Sequence, residues 1–235
     1  MLKGILFDLD DTLFDHRHSS RSALASLQNK YDCFSRLTLD EFEKEHLTLL
    51  EEIHLNQVLT GEYSIEEARA ERFRRMFKKF GNNDYDTLAY ESAEHYRDVY
   101  QDSRRLITGA VELLRKFHGK LKIAIVSNNL LDEQIGKLKH LGIDKFFDAI
   151  VVSEEVGVTK PDPLIFQTAL DRISCAANEV IMVGDKWNVD IIGATNLGIK
   201  SIWLNIFDVP CPDENLAPEV KTLEEVNEII SDIYF

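Results

Sequence analysis

The chain has 235 residues, 44% of them hydrophobic and 29% charged, with a formal net charge of −14. Such a composition belongs to an ordinary globular protein, long enough for one large domain or for a domain carrying a sizeable insertion. The acidity disfavours nucleic-acid polymers and anionic membrane surfaces, and any anion site must be made locally positive. No run of about 18 apolar residues exists to span a bilayer. Asp8, Asp10 and Asp11 interrupt the only early apolar run, so no signal peptide is expected. Cys33, Cys175 and Cys211 are odd in number and widely spaced, which suits free thiols in a reducing, cytoplasmic compartment.

In chain order, Gly4 to Leu9 reads as a strand buried on both faces, ending in the carboxylates of Asp8 and Asp10. Two residues apart, those side chains share one side of an extended backbone and repel each other unless a cation, a proton or donors compensate them. Residues 16–105 then break the strand rhythm. Ser19 to Lys30, Leu39 to Leu59, Ser64 to Phe80 and Asp84 to Tyr100 read as helices, with capping-box spacing at Ser64-Ile65-Glu66-Glu67 and helix-ending glycines at 61 and 81. Their apolar positions predict a small helical core. This all-helical insertion follows the first strand, at the strand ends where open α/β folds place ligands.

Beyond residue 105, strand-like and helical runs alternate. Lys122 to Ser127, Ala149 to Ser153, Val180 to Gly184 and Lys200 to Leu204 read as strands. Leu130 to Leu141, Pro163 to Ile173 behind an Asp162 cap, a segment through Leu197, and Thr222 to Ile233 read as helices. Repeated β-α-β units predict an α/β fold with a doubly wound parallel sheet of about five strands.

Polar residues fall at the ends of these strands: Asp8 and Asp10 on the first, Ser127 and Asn128 on the second, Lys160 beyond the third, Asp185 and Asp190 after the fourth. Singly, each has a plain structural reading. Ser127-Asn128 makes a turn, Lys160 a solvated lysine, and Asp185 a helix cap. Together they suit the handling of a phosphoryl group and its metal. An aspartate can attack phosphorus. Mg²⁺ takes hard oxygen ligands, and a hydroxyl with an ammonium can hold the remaining phosphate oxygens. A second carboxylate can donate a proton to the leaving alkoxide and later activate water.

The ordered set Asp8-Leu9-Asp10-Asp11-Thr12, Ser127, Lys160, and Gly184-Asp185 with Asp190 resembles the four motifs of the haloacid dehalogenase-like hydrolases, over nearly the whole chain. The resemblance implies a Rossmann-like catalytic core (1–15 and 106–235) with a helical cap (16–105). It makes Asp8 the nucleophile and Asp10 the general acid/base. Mg²⁺ would be held by Asp8, the Asp10 backbone carbonyl, Asp185 and Asp190. Ser127, Asn128 and Lys160 would take the phosphoryl group. The stretches Val152 to Pro161, Gly184 to Ala194, and Gly61-Glu62-Tyr63-Ser64 with Arg72-Phe73 are similar to the pyrimidine 5′-nucleotidase branch, with N-acylneuraminate-9-phosphatase nearby. Asn129, a residue tolerant of positive φ, stands where that branch commonly has Gly, and Lys186 replaces a small hydroxyl residue. The expected activity is hydrolysis of a small phosphorylated metabolite, a nucleoside 5′-monophosphate first. Sugar-phosphate or phosphoglycolate-type hydrolysis and phosphomutase chemistry are the alternatives. A dehalogenase is disfavoured by Asp10, and a phosphoacceptor module by the size of the insertion. The sequence leaves monomer and homodimer open. Cap residues His16, His18, His46 and Arg72 are conceivable substrate contacts, each with an exposed or structural role as its ordinary reading.

Overall fold

The computed structural model describes residues 1–58, 61–81 and 85–234, with Leu55 by its backbone alone. Its contacts divide the chain into two compact units: Met1–Asp15 with Arg105–Phe235, and His16–Arg104.

The first strand, β1 (Gly4–Phe7), is wholly buried. The helical unit follows with α1 (His16–Lys30), the single turn α2 (Asp32–Ser35), α3 (Leu39–Ile53), α4 (Ile65–Phe80) and α5 (Tyr85–Asp102). A π-helical turn, His54–Val58, extends α3. The sequence-expected helix ends at Leu59 and Asp84 lie outside the described residues. Both long internal helices start on reciprocal caps, Thr38 with Glu41 and Ser64 with Glu67. At the other end of α4, Gly81 adopts φ +91°, a left-handed cap that a side chain would strain. Phe34, Phe42, Phe73 and Phe77 are fully buried and form much of this unit's small core.

The other unit continues with α6 (Ala110–Phe117), β2 (Lys122–Ser127), α7 (Leu131–His140), β3 (Ala149–Val152), the one-turn α8 (Ser153–Val156), α9 (Pro163–Ile173), β4 (Val180–Gly184), α10 (Ile192–Asn196), β5 (Lys200–Leu204), β6 (Glu219–Val220) and α11 (Leu223–Tyr234). The sheet order is β3-β2-β1-β4-β5-β6 with every pairing parallel. The doubly wound α/β expectation is met, and the two-residue β6 adds an edge to the five strands read from sequence. Leu6, Val126 and Met182 pack on one face with Ile165, Phe166 and Leu170 of α9. Ile5 and Phe7, alternating with Leu6, point to the other face. Helices α6 and α11 pack on each other, with Phe117 and Tyr234 rings edge to face at 6.4 Å. Asp162 caps α9 by accepting from the Leu164 N–H, with Pro163 in the first turn as expected.

Beyond β1 the chain makes one tight turn, in which the Leu9 carbonyl accepts from the N–H groups of Thr12, Leu13 and Phe14. Asp11 turns the backbone at φ 64°, a conformation Asp tolerates better than most residues. The chain leaving this unit lies against the chain re-entering it. Phe14 bridges Leu106, the Asp15 N–H donates to the Arg105 carbonyl at 3.0 Å, and that of Ile107 to Leu13 at 2.9 Å. An Arg105–Asp15 ion pair closes the junction.

Candidate active site

In a parallel sheet all strands end on one side, and β1 and β4 flank the point where the order reverses direction. Asp8 follows β1 directly and Asp185 follows β4. Asp190 arrives from the π-helical turn Trp187–Ile191. One carboxylate oxygen from each of these three residues lies within 4.8 Å of the others. Gly184 makes the close approach possible, because a Cβ there would sit 2.5 Å from Asp190 side-chain atoms. The Asp185 backbone is anchored by the Trp203 indole, which donates to its carbonyl at 2.7 Å.

Lys160 enters from the loop between α8 and α9 and is 3% exposed. Its ammonium donates to Asp8 Oδ1 (2.6 Å), Asp190 Oδ1 (2.7 Å) and the Val126 carbonyl (2.7 Å). All three protons are thereby used. Asn128 holds the lysine's backbone from both sides, accepting from its N–H at 2.6 Å and donating to its carbonyl at 2.9 Å. Asn128 thus meets Lys160 through main-chain atoms, while Thr12 Oγ1 lies 3.4 Å from both Asp8 and Asp185.

Asp10 turns to a different set of partners. Lys137 Nζ donates to its Oδ1 at 2.5 Å, and Gln134 and Asn129 donate to Oδ2 at 3.0 and 3.2 Å. The same Gln134 amide reaches Ser127 Oγ at 2.6 Å. Asn129 keeps an ordinary negative φ, so the loop does not use the left-handed tolerance anticipated for it.

A sequence model of haloacid dehalogenase-like hydrolases matches residues 5–204. The chain belongs to that family. A glyceraldehyde 3-phosphate phosphatase of Methanothermobacter thermautotrophicus is 33% identical over 208 residues, 87% of this chain and 86% of the relative. The pyrimidine 5′-nucleotidase YjjG of Escherichia coli is 38% identical over 127 residues, 53% of this chain and 56% of its own length. The magnesium-bound structure of YfnB from Bacillus subtilis superposes with a TM-score of 0.76 at 26% identity, covering 98% of this chain and 99% of that one.

Within this haloacid dehalogenase-like framework, burial is the largest influence on Asp8. It lifts the carboxyl to about 6, against the pull of Lys160 and with the help of the Asp190 and Asp10 charges. Asp185 is raised well above the usual carboxylate range, first by burial and then by the charges of Asp8 and Asp190. For Lys160, burial acts to lower the pKa, but the charges of Asp190 and Asp8 and their hydrogen bonds outweigh it, and the net shift is upward. Desolvation likewise lowers the Lys186 pKa, and the Asp185, Asp8 and Asp190 charges again prevail. The carboxylates are therefore short of positive charge even with Lys160 in place. That deficit, a hard-oxygen donor set and a shared focus fit a divalent cation of the Mg²⁺ type.

Gln134 and Lys137 escaped the sequence reading, although both are buried and both touch Asp10. Their spacing of three on α7, beside the buried Leu138, was the available signal, since residues so spaced share a helix face.

Proposed function

We propose that this chain is a Mg²⁺-dependent phosphomonoesterase whose catalytic core is 1–15 with 105–235 and whose cap is 16–104. The observation that carries the proposal is the buried Lys160 ammonium joined to Asp8 and Asp190 beside Asp185. Asp8 is thereby held beside a buried cation, at a focus whose remaining negative charge calls for a divalent metal before a dianionic phosphate can enter.

Asp8 attacks phosphorus, and the ester oxygen departs with a proton from Asp10. An aspartyl-phosphate on Asp8 remains. Asp10, now a carboxylate, takes a proton from water as that water attacks phosphorus, and inorganic phosphate leaves with Asp8 restored. Lys160, giving up one of its three present acceptors as substrate enters, and the Ser127 hydroxyl hold the non-bridging oxygens of the transferred group. Mg²⁺, held by Asp8, the Asp10 carbonyl, Asp185 and Asp190, would neutralise charge on the phosphate and the nucleophile.

The favoured substrate is a nucleoside 5′-monophosphate, supported by the stretches that resemble the pyrimidine 5′-nucleotidase branch and by the 38% identity to YjjG over 127 residues. Sugar-phosphate hydrolysis is the second reading, favoured by the long match to the glyceraldehyde 3-phosphate phosphatase. Phosphate release should be followed over nucleoside monophosphates, sugar phosphates and phosphoglycolate, with and without Mg²⁺. Many Mg²⁺-dependent turnovers are expected, with a loss on the order of 10³-fold or more in Asp8→Asn. An active Asp8→Asn enzyme would displace the assigned nucleophile. Accumulation of a stable phosphoprotein, or metal-free turnover of 2-haloacids alone, would replace the phosphatase reading altogether.

A further inference from the structure

The helical unit buries a cation for which its described residues supply no counter-charge. Arg72 of α4 is 6% exposed. Among the described residues no carboxylate pairs with it, and its Nε has no hydrogen-bond partner. Four more accessible arginines of the same unit are treated differently. Arg17 and Arg21 meet Glu43, Arg74 meets Glu71 and Asp86, and Arg75 meets Glu52 and Glu71. The most buried guanidinium of this group is the one left without an acid.

What surrounds Arg72 adds donors and positive charge. Its guanidinium carbon stands 5.9 Å from the Tyr96 ring centroid and 6.0 Å from that of Phe73. Against the same two rings lies His46 of α3, at 4.9 and 5.9 Å between centroids. His46 is 1% exposed and neither ring nitrogen has a partner. Burial, then the Arg72 charge, depresses both His46 and the half-buried His54, and Arg69 adds further positive potential at Arg72. Glu43, an acid that bears on Tyr96, is engaged by Arg17 and Arg21.

Aromatic faces recover only part of the cost of taking a guanidinium out of water, and Arg cannot shed its proton to avoid that cost. A fixed fork of donors beside an unpaired imidazole, walled by two aromatic rings, is suited to a planar or tetrahedral oxyanion.

We propose that Arg72 and His46, packed against the adjoining rings of Tyr96 and Phe73, form an anion-binding site within the helical unit that takes the carboxylate or phosphate group of a small ligand. The guanidinium supplies two N–H donors and the imidazole a third. Such a group can be carried by the substrate or arrive as a free ion.

The test uses the intact protein and inorganic sulfate as the probe. The chain has seven histidines, so the His46 ring resonance can be assigned by its loss in His46→Gln. Sulfate should shift that resonance saturably in the wild type. Arg72→Gln should abolish the shift while its spectrum stays folded, and Arg72→Lys should retain it weakened. An unshifted His46 in the wild type, or an unchanged titration in Arg72→Gln, overturns the proposal. If Arg72→Gln does not fold, the wild-type and Arg72→Lys titrations still decide. A kinetic arm, which rests on the phosphatase reading, separates the two sources. For a substrate-borne group, Arg72→Gln raises KM about tenfold for a carboxylate-bearing phosphate ester and spares p-nitrophenyl phosphate. For a free ion, sulfate alters turnover of both esters alike and the variant loses that response. Loss of phosphatase activity in the wild type would overturn the reading of the core and leave the sulfate titration standing.

Discussion

Asp8, Asp10, Asp185 and Asp190 are one residue type in four environments, and the environment decides what each can do. Asp190 is locked between the Lys160 ammonium and the Lys186 N–H. Asp10 leans on Lys137 and Gln134, which makes Lys137 a positioning residue for it. In Lys137→Met, kcat/KM for an alkyl phosphate should fall by roughly 10- to 100-fold, part of what a positioned acid supplies. For p-nitrophenyl phosphate, whose leaving group needs no proton, the fall should be several-fold smaller. Equal losses on both esters would show that Lys137 does not act through Asp10. The raised carboxyls of Asp8 and Asp185 set a pH dependence. A carboxyl whose folded pKa exceeds its unfolded value favours the metal-free fold at low pH. That contribution is fully present below about 4 and is lost as pH rises through about 6 for Asp8. Mg²⁺ needs the ionised forms. The rise in melting temperature on adding Mg²⁺ should therefore be larger at pH 8 than at pH 5, and an increment independent of pH would contradict this. At this scale the sequence was legible where function rides on strand ends: Asp8, Lys160, Asp185 and Asp190 meet in space. Lys137 and Gln134 were not, because a helix pattern marks a buried face without saying which strand end it meets.

At the scale of the element, legibility follows length and period. The five main strands are near-continuous apolar runs and were readable to within a residue or two. β6 has two residues, and α2 and α8 have four each, too few to display any period. Ser153 continued an apolar run and was read as strand, yet it opens α8. The segment after Asp185 was read as a helix, but begins with a π-helical turn that brings Asp190 to Lys160. Local rules held well at Ser64, and Ser64→Ala should destabilise α4 by about 1 kcal/mol, measurable as lost amide protection in its first turns. His46 gives the helical unit an acid sensitivity. Its buried imidazole is held well below 6.5, so the unfolded chain binds the proton more readily than the folded one. Its contribution is fully present above about pH 6.5 and declines as the pH falls toward the depressed value. Hydrogen exchange in α3 and α5, corrected for intrinsic rates, should show protection falling between pH 7.5 and 5, and less steeply in His46→Gln.

At the scale of the molecule, the insertion was legible as a break in rhythm, whereas the junction was not. Nothing local in Leu13 to Asp15 or Arg105 to Ile107 announces that the two stretches pair. That pairing has a further consequence. Closing a loop of roughly 90 residues costs on the order of 4 kcal/mol in chain entropy, but the departing and returning chains here are already stitched by backbone bonds and an ion pair on the sheet side. From the sheet's side the polypeptide is nearly continuous across the junction. A chain running from Asp15 to Arg105 through a short Gly-Ser bridge should fold and melt cooperatively with the sheet's circular-dichroism signature, and failure to do so would show that the sheet depends on the insertion. Such a cooperative melt would make His16–Arg104 a cassette, one helical module exchangeable for another with every strand kept in register.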